Sequence, residues 1–246
     1  MKEVLSQIKN RRSVRVFEER PIEANVKKEI LQAAFEAPTA GCMMLYSILD
    51  ITDNELKERL AVACDNQPFI AKAPLVLIFL ADYQRWYDAF SLTDVNPRRP
   101  GEGDILLACA DAIIAAQNTV VAAEALGVGS CYIGDIIENC EEVKELLGLT
   151  DYVIPAAMLV YGYPTEAQKI RRKPERFDAE YIVYENKYRS LTEAEHIEVQ
   201  NRRNKRSGFA DKDIKQEIKA LCNRKYMSDF SLEMNRSAGE YLKKFR

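Results

Sequence analysis

Leu75-Val76-Leu77-Ile78-Phe79-Leu80 is a run of six apolar residues with no polar break. It is short for a helix and apolar on both faces, so it reads as a strand in the middle of a sheet covered on both sides. Pro155 to Pro164, through Ala156-Ala157-Met158-Leu159-Val160-Tyr161-Gly162-Tyr163, reads as another central strand, stopped by Pro164. Leu45 to Ile51 and the short stretch after Gly127-Val128-Gly129 supply two more strand candidates. Helical patterns fall between them, so helices enclosing a central sheet in a mixed α and β fold follow from the alternation.

The helices announce themselves at their ends. Residues 3 to 10 form an amphipathic pattern, and Val14-Arg15-Val16-Phe17 then reads as extended up to the break at Pro21-Ile22. Glu23 to Glu36 carries Val26, Ile30, Leu31, Ala34 and Phe35 near helical spacing and stops before the small-residue loop Pro38-Thr39-Ala40-Gly41. Thr52-Asp53-Asn54-Glu55 predicts a capping box for a helix running to Cys64. Asp82 to Gly103, with the sole tryptophan, Trp86, reads as a mobile excursion able to act as a lid, and residues 104 to 126 as a helix buried on most sides. Asn139 and Gly148 are the expected caps of a further helix. Lys169 to Arg176 reads as a basic loop, residues 177 to 200 as an arm running over a surface, and about Lys212 to Lys244 as one or two helices.

Composition narrows the chemistry. The 246 residues carry 35 Lys and Arg against 38 Asp and Glu, a net charge of -3, so there is no global basic field to hold nucleic acid. Met1-Lys2-Glu3-Val4-Leu5 enters a helix directly instead of a continuous apolar signal core, an organisation expected of a cytoplasmic protein. The apolar tract from Ile105 to Leu126 is interrupted by Asp111, Gln117, Asn118 and Glu124, which argues against a membrane span. Six scattered cysteines show no CxxC spacing, and the single histidine, His196, sits among charged residues. Zinc binding, histidine-based metal centres and Ser-His or Cys-His catalysis are therefore not indicated. No GK[ST] triplet exists, and the Gly127 to Gly134 glycines follow a helix and precede a strand, the reverse of a dinucleotide loop. The chemistry is expected to come from a bound cofactor.

Arg11-Arg12-Ser13-Val14-Arg15 packs three guanidinium groups and a hydroxyl into five positions, the composition of an anion site, although a solvated charge run at a helix end has the same composition. A second cationic cluster lies at Lys169 to Arg176. Two such clusters closing on one phosphate, with small-residue loops at 38 to 41 and 129 to 134 exposing backbone amides to a flat ring, make a donor set that suits flavin mononucleotide.

The ordered set Arg11-Arg12-Ser13-Val14-Arg15-Val16-Phe17, Pro21-Ile22, Ala37-Pro38-Thr39, Gln67, Leu126-Gly127-Val128-Gly129, Tyr132-Ile133-Gly134 and Tyr184-Glu185-Asn186-Lys187-Tyr188 resembles the flavin-dependent nitroreductase family. It is most similar to the branch of oxygen-insensitive NADPH nitroreductases and NADPH-flavin oxidoreductases. The resemblance implies an α+β fold, a central, mostly antiparallel sheet enclosed by helices. Residues 1–176 would form the FMN-binding domain and 177–246 a C-terminal arm and helices embracing the partner of a homodimer. By the same resemblance Arg11, Arg12, Ser13 and Arg15 hold the FMN phosphate and ribityl chain, Thr39 and Gln67 follow the ribityl and the pyrimidine edge, and Tyr132, Ile133 and Gly134 offer backbone groups to the ring. Lys173 and Arg176 are the implied second phosphate clamp. The implied activity is ping-pong transfer of hydride from NAD(P)H through FMN to a small acceptor such as a nitroaromatic, a quinone or free flavin, with no catalytic side chain required. A flavin-binding protein for storage or sensing, or a flavin-free interaction module, shares the same features.

Three positions depart from the pattern. Lys173-Pro174-Glu175-Arg176 inserts a glutamate, with Arg171 and Arg172 beside it, where the relatives separate a lysine and an arginine by one proline. Asp135 stands where the branch has a second glycine, and Cys42-Met43-Met44 makes its loop less polar. Arg202, Arg203, Lys205 and Arg206 are candidates for the 2′-phosphate of NADPH or a solvated charge run.

Overall fold

In the computed structural model, residues 2–209 and 213–246 are described. The elements run α1 (Lys2–Asn10), α2 (Ala24–Phe35), β1 (Tyr46–Asp50), α3 (Asn54–Ala63), β2 (Leu75–Asp82), α4 (Gln84–Ser91) and α5 (Glu102–Ala125). They continue with β3 (Gly129–Ile133), α6 (Cys140–Leu147), β4 (Val153–Gly162), α7 (Glu166–Ile170), α8 (Glu193–Ser207), α9 (Ile214–Leu221) and α10 (Asp229–Leu242). The four strands form one antiparallel sheet in the order β1-β2-β4-β3.

The unbroken apolar run of β2 now has its explanation. Val76, Ile78 and Leu80, with Met158 and Val160 of β4 and Cys131 and Ile133 of β3, face a core completed by α3 and α6. Leu75, Leu77 and Phe79, with Leu159 and Tyr161, face the opposite core under α2 and α5. Successive side chains point to opposite faces, so a strand with helices on both sides has no position for a polar residue. Pro155 is tolerated inside central strand β4 because the register slips there: Leu80 pairs with Pro155 and Phe79 with Ala157, leaving Ala156 as the extra residue of a bulge.

Several local expectations change. Asp53, not Thr52, caps α3, its carboxylate accepting the Leu56 N–H at 2.8 Å. Asn139 precedes α6 in a left-handed conformation (φ 50°) and its side chain does not cap; its Nδ2 donates to Ala63 O instead. The cap comes from α10, where Glu233 Oε1 accepts the Asn139 N–H and Ser237 Oγ accepts the Cys140 N–H. The stretch from Asp82 to Gly103 is not a free excursion. It contains α4, and the Trp86 Nε1 donates to Met43 O at 2.6 Å while Arg85 donates to Met44 O, Tyr46 O and Ser47 Oγ.

Helix α5 is buried against the sheet and α2 but not all round. Ile105, Ala108, Ala112, Ala115, Ala116 and Val120 are covered, whereas Leu106, Leu107, Ile113 and Ile114 form an exposed apolar face, Leu106 at 71%. By length and composition α5 alone among the described helices would be long and apolar enough to cross a membrane. Beyond β4 the basic loop begins with the short α7, and the arm gives way to α8 at Glu193. Lys212, the expected start of the last helices, lies outside the described residues.

The chain divides into two compact units, Met1–Arg171 with Glu233–Arg246, and Arg172–Leu232. The first holds the sheet and its two cores. The second holds α8 and α9, with Tyr181, Val199 and Ile214 as its buried apolar residues among those described. Thr192 and Glu195 form a capping box at the start of α8.

Gly162 at the end of β4 permits the N-terminal segment to lie on the sheet, since a Cβ there would sit 2.6 Å from Phe17 Cδ1 and 2.9 Å from Pro74 Cδ. Gly162→Ala should therefore lower stability by about 1–3 kcal/mol through overpacking. Equilibrium urea unfolding of the two proteins measures it.

Candidate active site

The guanidinium cluster is placed by backbone pairing. After α1 ends, Ser13 bridges Ser130 of β3 in parallel, the Val14 N–H donates to Ser130 O at 2.9 Å, and Phe17 pairs with Pro164. Gly129 makes this approach possible, because a Cβ on it would fall 2.5 Å from Val14 Cγ2. With Val14 buried, Ser13 and Arg15 on either side of it reach Cys131. Burial pushes the Cys131 thiol up, opposed first by the charge of Arg15, then by hydrogen bonds from Ser13 and Arg15 and by the charge of Arg11. Burial also raises the Tyr132 phenol to about 12, against the opposing charge of Arg11. Arg11, Ser13 and Arg15 thus surround one short stretch of β3.

The other end of that stretch carries a polar lock. Asp65 and Asn66 take left-handed conformations (φ 60° and 51°) and turn the chain after α3 so that Gln67 faces the end of β3. Gln67 Nε2 donates to Cys64 O at 2.8 Å and to Asp135 Oδ2 at 2.6 Å. Both partners are acceptors, which fixes the orientation of the carboxamide. Gly134 lies just before Asp135, and a Cβ on it would meet nothing within 4 Å, so the space beside it is open. Ile133 is buried and offers its backbone alone, and the Tyr132 hydroxyl donates to Gln117 Oε1 at 3.3 Å. Phe69, two residues past Gln67, lies 5.9 Å from the Arg15 guanidinium. One strip therefore joins Arg11, Ser13, Arg15, Tyr132, Ile133, Gly134 and Gln67.

Four expected residues are used differently. Arg12 Nη1 donates to Lys169 O at 2.5 Å and Arg171 O at 2.6 Å, holding the chain after α7. The Thr39 hydroxyl donates to Asp111 and accepts the Met44 N–H at 2.8 Å, so both of its functions serve its own loop. Lys173 and Arg176 belong to the second unit, where Lys173 borders a cavity of about 380 Å³ with Arg172, Glu175 and Arg203, and Arg176 O accepts from Arg206. In that unit Arg202 pairs with Glu180, Glu198 and Asp178, and Arg206 with Glu175 and Asp178. Two of the four cations in the basic run at 202–206 are thus paired with acidic neighbours.

Sequence reasoning missed Asp111, Phe69 and Glu138. Asp111 is buried on α5 and accepts from the Ala40 and Leu45 N–H groups as well as from Thr39. Its signal was an aspartate in the middle of the apolar tract. The 760 Å³ cavity of the first unit is lined by Arg15, Phe17, Arg20, Pro68, Phe69 and Lys72 among others, and meets the strip at Arg15 and Phe69. Among the described residues no group of three or more His, Cys, Asp or Glu is placed to hold a metal ion.

The donor set fits a phosphorylated flavin. Two guanidiniums and a hydroxyl suit the phosphate, Gln67 Oε1 is left by the lock as an acceptor, and open space adjoins the Gly134 backbone.

Comparison with known proteins finds similarity over most of the chain. Residues 8–163 match the model of the Nitroreductase family. An NADPH-dependent oxidoreductase of Staphylococcus aureus (strain bovine RF122 / ET3-1) is 30% identical over 198 residues, 80% of this chain and 78% of the relative. Among solved structures, NfrA2 of B. megaterium is 29% identical with a TM-score of 0.81, and all of both chains is covered. NADPH:FMN oxidoreductase from Vibrio harveyi, complexed with NAD+, is 26% identical with a TM-score of 0.81 over 99% of each chain.

Asp111→Ala would leave buried N–H groups of the 39–45 loop without acceptors, so a stability loss of about 3 kcal/mol or more is expected. Hydrogen exchange should rise first at Ala40 and Leu45. Unchanged exchange at those amides would show that Asp111 does not organise the loop.

Proposed function

The chain belongs to the nitroreductase family, and from that premise we propose that it is an FMN-dependent NAD(P)H oxidoreductase delivering electrons to a small acceptor such as a nitroaromatic, a quinone or free flavin. The observation that carries this reading is the convergence of Arg11, Ser13 and Arg15 on β3, contiguous with Gln67 and the open backbone at Gly134. Bound FMN supplies the redox chemistry, taking hydride from NAD(P)H and passing electrons on in a second half-reaction, which is the ping-pong order. The protein's part is to bind and orient. Arg11, Ser13 and Arg15 hold the phosphate, Gln67 Oε1 accepts from a ring N–H, and the Tyr132 to Gly134 backbone lines the ring. Arg12 supports this indirectly by fixing the chain at Lys169 and Arg171.

A homodimer accompanies it. The exposed face of α5 at Leu106, Leu107, Ile113 and Ile114, with Val4, Leu5 and Ile8 of α1, is an apolar surface of the kind that a monomer rarely leaves open. The second unit adds exposed Ile182, Val183, Tyr188 and Tyr226, and its segment 177–232 is the part proposed to embrace the partner subunit.

Purified protein should take up FMN, show the visible flavin spectrum, and lose it on anaerobic addition of NADPH or NADH. Arg15→Ala removes a charge-assisted bond worth about 1.5–3 kcal/mol, so FMN affinity should fall by about ten- to more than a hundredfold. Affinity equal to the parent's would contradict the phosphate assignment. Flavin that binds but is not bleached by either nucleotide would replace the enzyme with a storage or sensing protein. Leu107→Glu should shift sedimentation from dimer toward monomer.

A further inference from the structure

Behind the Gln67 lock lies a second carboxyl group that the proposed chemistry does not use. Glu138 follows the 3₁₀ turn Asp135–Ile137 that leaves β3 and is only 4% exposed. Among the described residues no donor reaches its Oε1. Its own turn brings the Asp135 side chain within hydrogen-bonding reach, and the Glu138 N–H donates to Asp135 O at 3.0 Å. The groups around it are acidic or neutral. Asp65 faces it from the turn after α3, Glu233 from α10, and the buried Cys64 thiol from the end of α3. Arg236, on α10 beside Glu233, is held between Glu233 and Glu141. Two carboxyl groups in contact in such surroundings do not both ionise at neutral pH. Burial first, and then the charge of Asp135, raise the Glu138 carboxyl to about 7.

Asp135 is at the same time the acceptor that holds Gln67 Nε2. Both amide hydrogens of Gln67 are thereby committed, to Asp135 and to Cys64 O, and Oε1 is the part of the group left for a ligand.

We propose that Glu138 holds its proton against Asp135, and that this contact is a positioning device which presents Gln67 as an acceptor to the N–H edge of a bound heterocycle. The inference rests on the flavin reading above. With the proton in place Glu138 donates to Asp135, steadying the lock. Loss of the proton adds a second charge behind the ring site, turns Glu138 from donor to acceptor against Asp135, and loosens Gln67. The sign follows: the site grips FMN, itself an anion, more weakly as pH rises through the Glu138 titration.

FMN affinity measured by fluorescence quenching at pH 6 and pH 8.5 tests this on the wild-type protein and on Glu138→Gln. If the bound ring raises the Glu138 pKa by about one unit, wild-type affinity falls about tenfold across the titration. Glu138→Gln keeps the neutral form at every pH and should lack this component. The phosphate of FMN ionises alike in both experiments, so the difference between the two profiles isolates Glu138. Calorimetry on the wild-type protein at pH 8, where the free phosphate is already dianionic, should show uptake of part of a proton per FMN, and this holds even if the variant fails to fold. Parallel pH profiles for the two proteins, or no proton uptake, would overturn the role of the Glu138 proton while leaving the flavin site standing. A wild-type protein that binds no FMN at either pH would overturn the flavin reading and this inference with it.

Discussion

The close approach of the extended segment 11–17 to the edge of the sheet is the constraint on which the rest depends. Two glycines create it. Gly129 admits Val14 and Gly162 admits Phe17, at distances no other residue allows. The bridges at Ser13 and Phe17 then fix the register of the segment, and side-chain alternation does the remaining work. Val14 goes into the core, and Ser13 and Arg15 emerge over Cys131. A charge cluster that would be a solvated helix end in isolation becomes a directed set of donors because the backbone beneath it is pinned.

The sheet serves that arrangement by being covered on both faces. Its two cores hold β3 and β4 rigidly, and the loops that leave them carry the polar groups of the site. Asp111 performs the matching task on the α5 side, ordering the 39–45 loop through donors that would otherwise be buried unpaired. The C-terminal helix contributes from a distance in sequence. Glu233 and Ser237 cap α6 because Asn139, in its left-handed conformation, cannot. The same Glu233 belongs to the acidic surroundings of Glu138.

Much of this was legible in the chain. The apolar runs at Leu75 to Leu80 and Pro155 to Pro164 marked central strands because two-sided burial leaves no polar position, and their order with the helices gave the α+β class through the family resemblance. Arg11-Arg12-Ser13-Val14-Arg15 stood out as the composition of an anion site, while the roles given to Arg11, Ser13 and Arg15, and the choice of Gln67 and Gly134, came from the family resemblance alone. What stayed hidden depended on pairing between distant segments. Nothing in the local sequence says that Arg12 will turn to the Lys169 and Arg171 carbonyls, or Thr39 to Asp111. The exposed face of α5 was also unreadable, because Leu106, Leu107, Ile113 and Ile114 have the composition of a core. Trp86 and Arg85 tie down a segment whose Pro, Asp and Arg content reads as a free loop.

The most direct measurement of the central claim is hydrogen–deuterium exchange with and without FMN. The account predicts joint protection of residues 11–17 and 129–135 on adding the cofactor, since one pinned segment and one strand form the site. Protection confined to other parts of the chain, with these two stretches unchanged in a protein that demonstrably binds FMN, would contradict it.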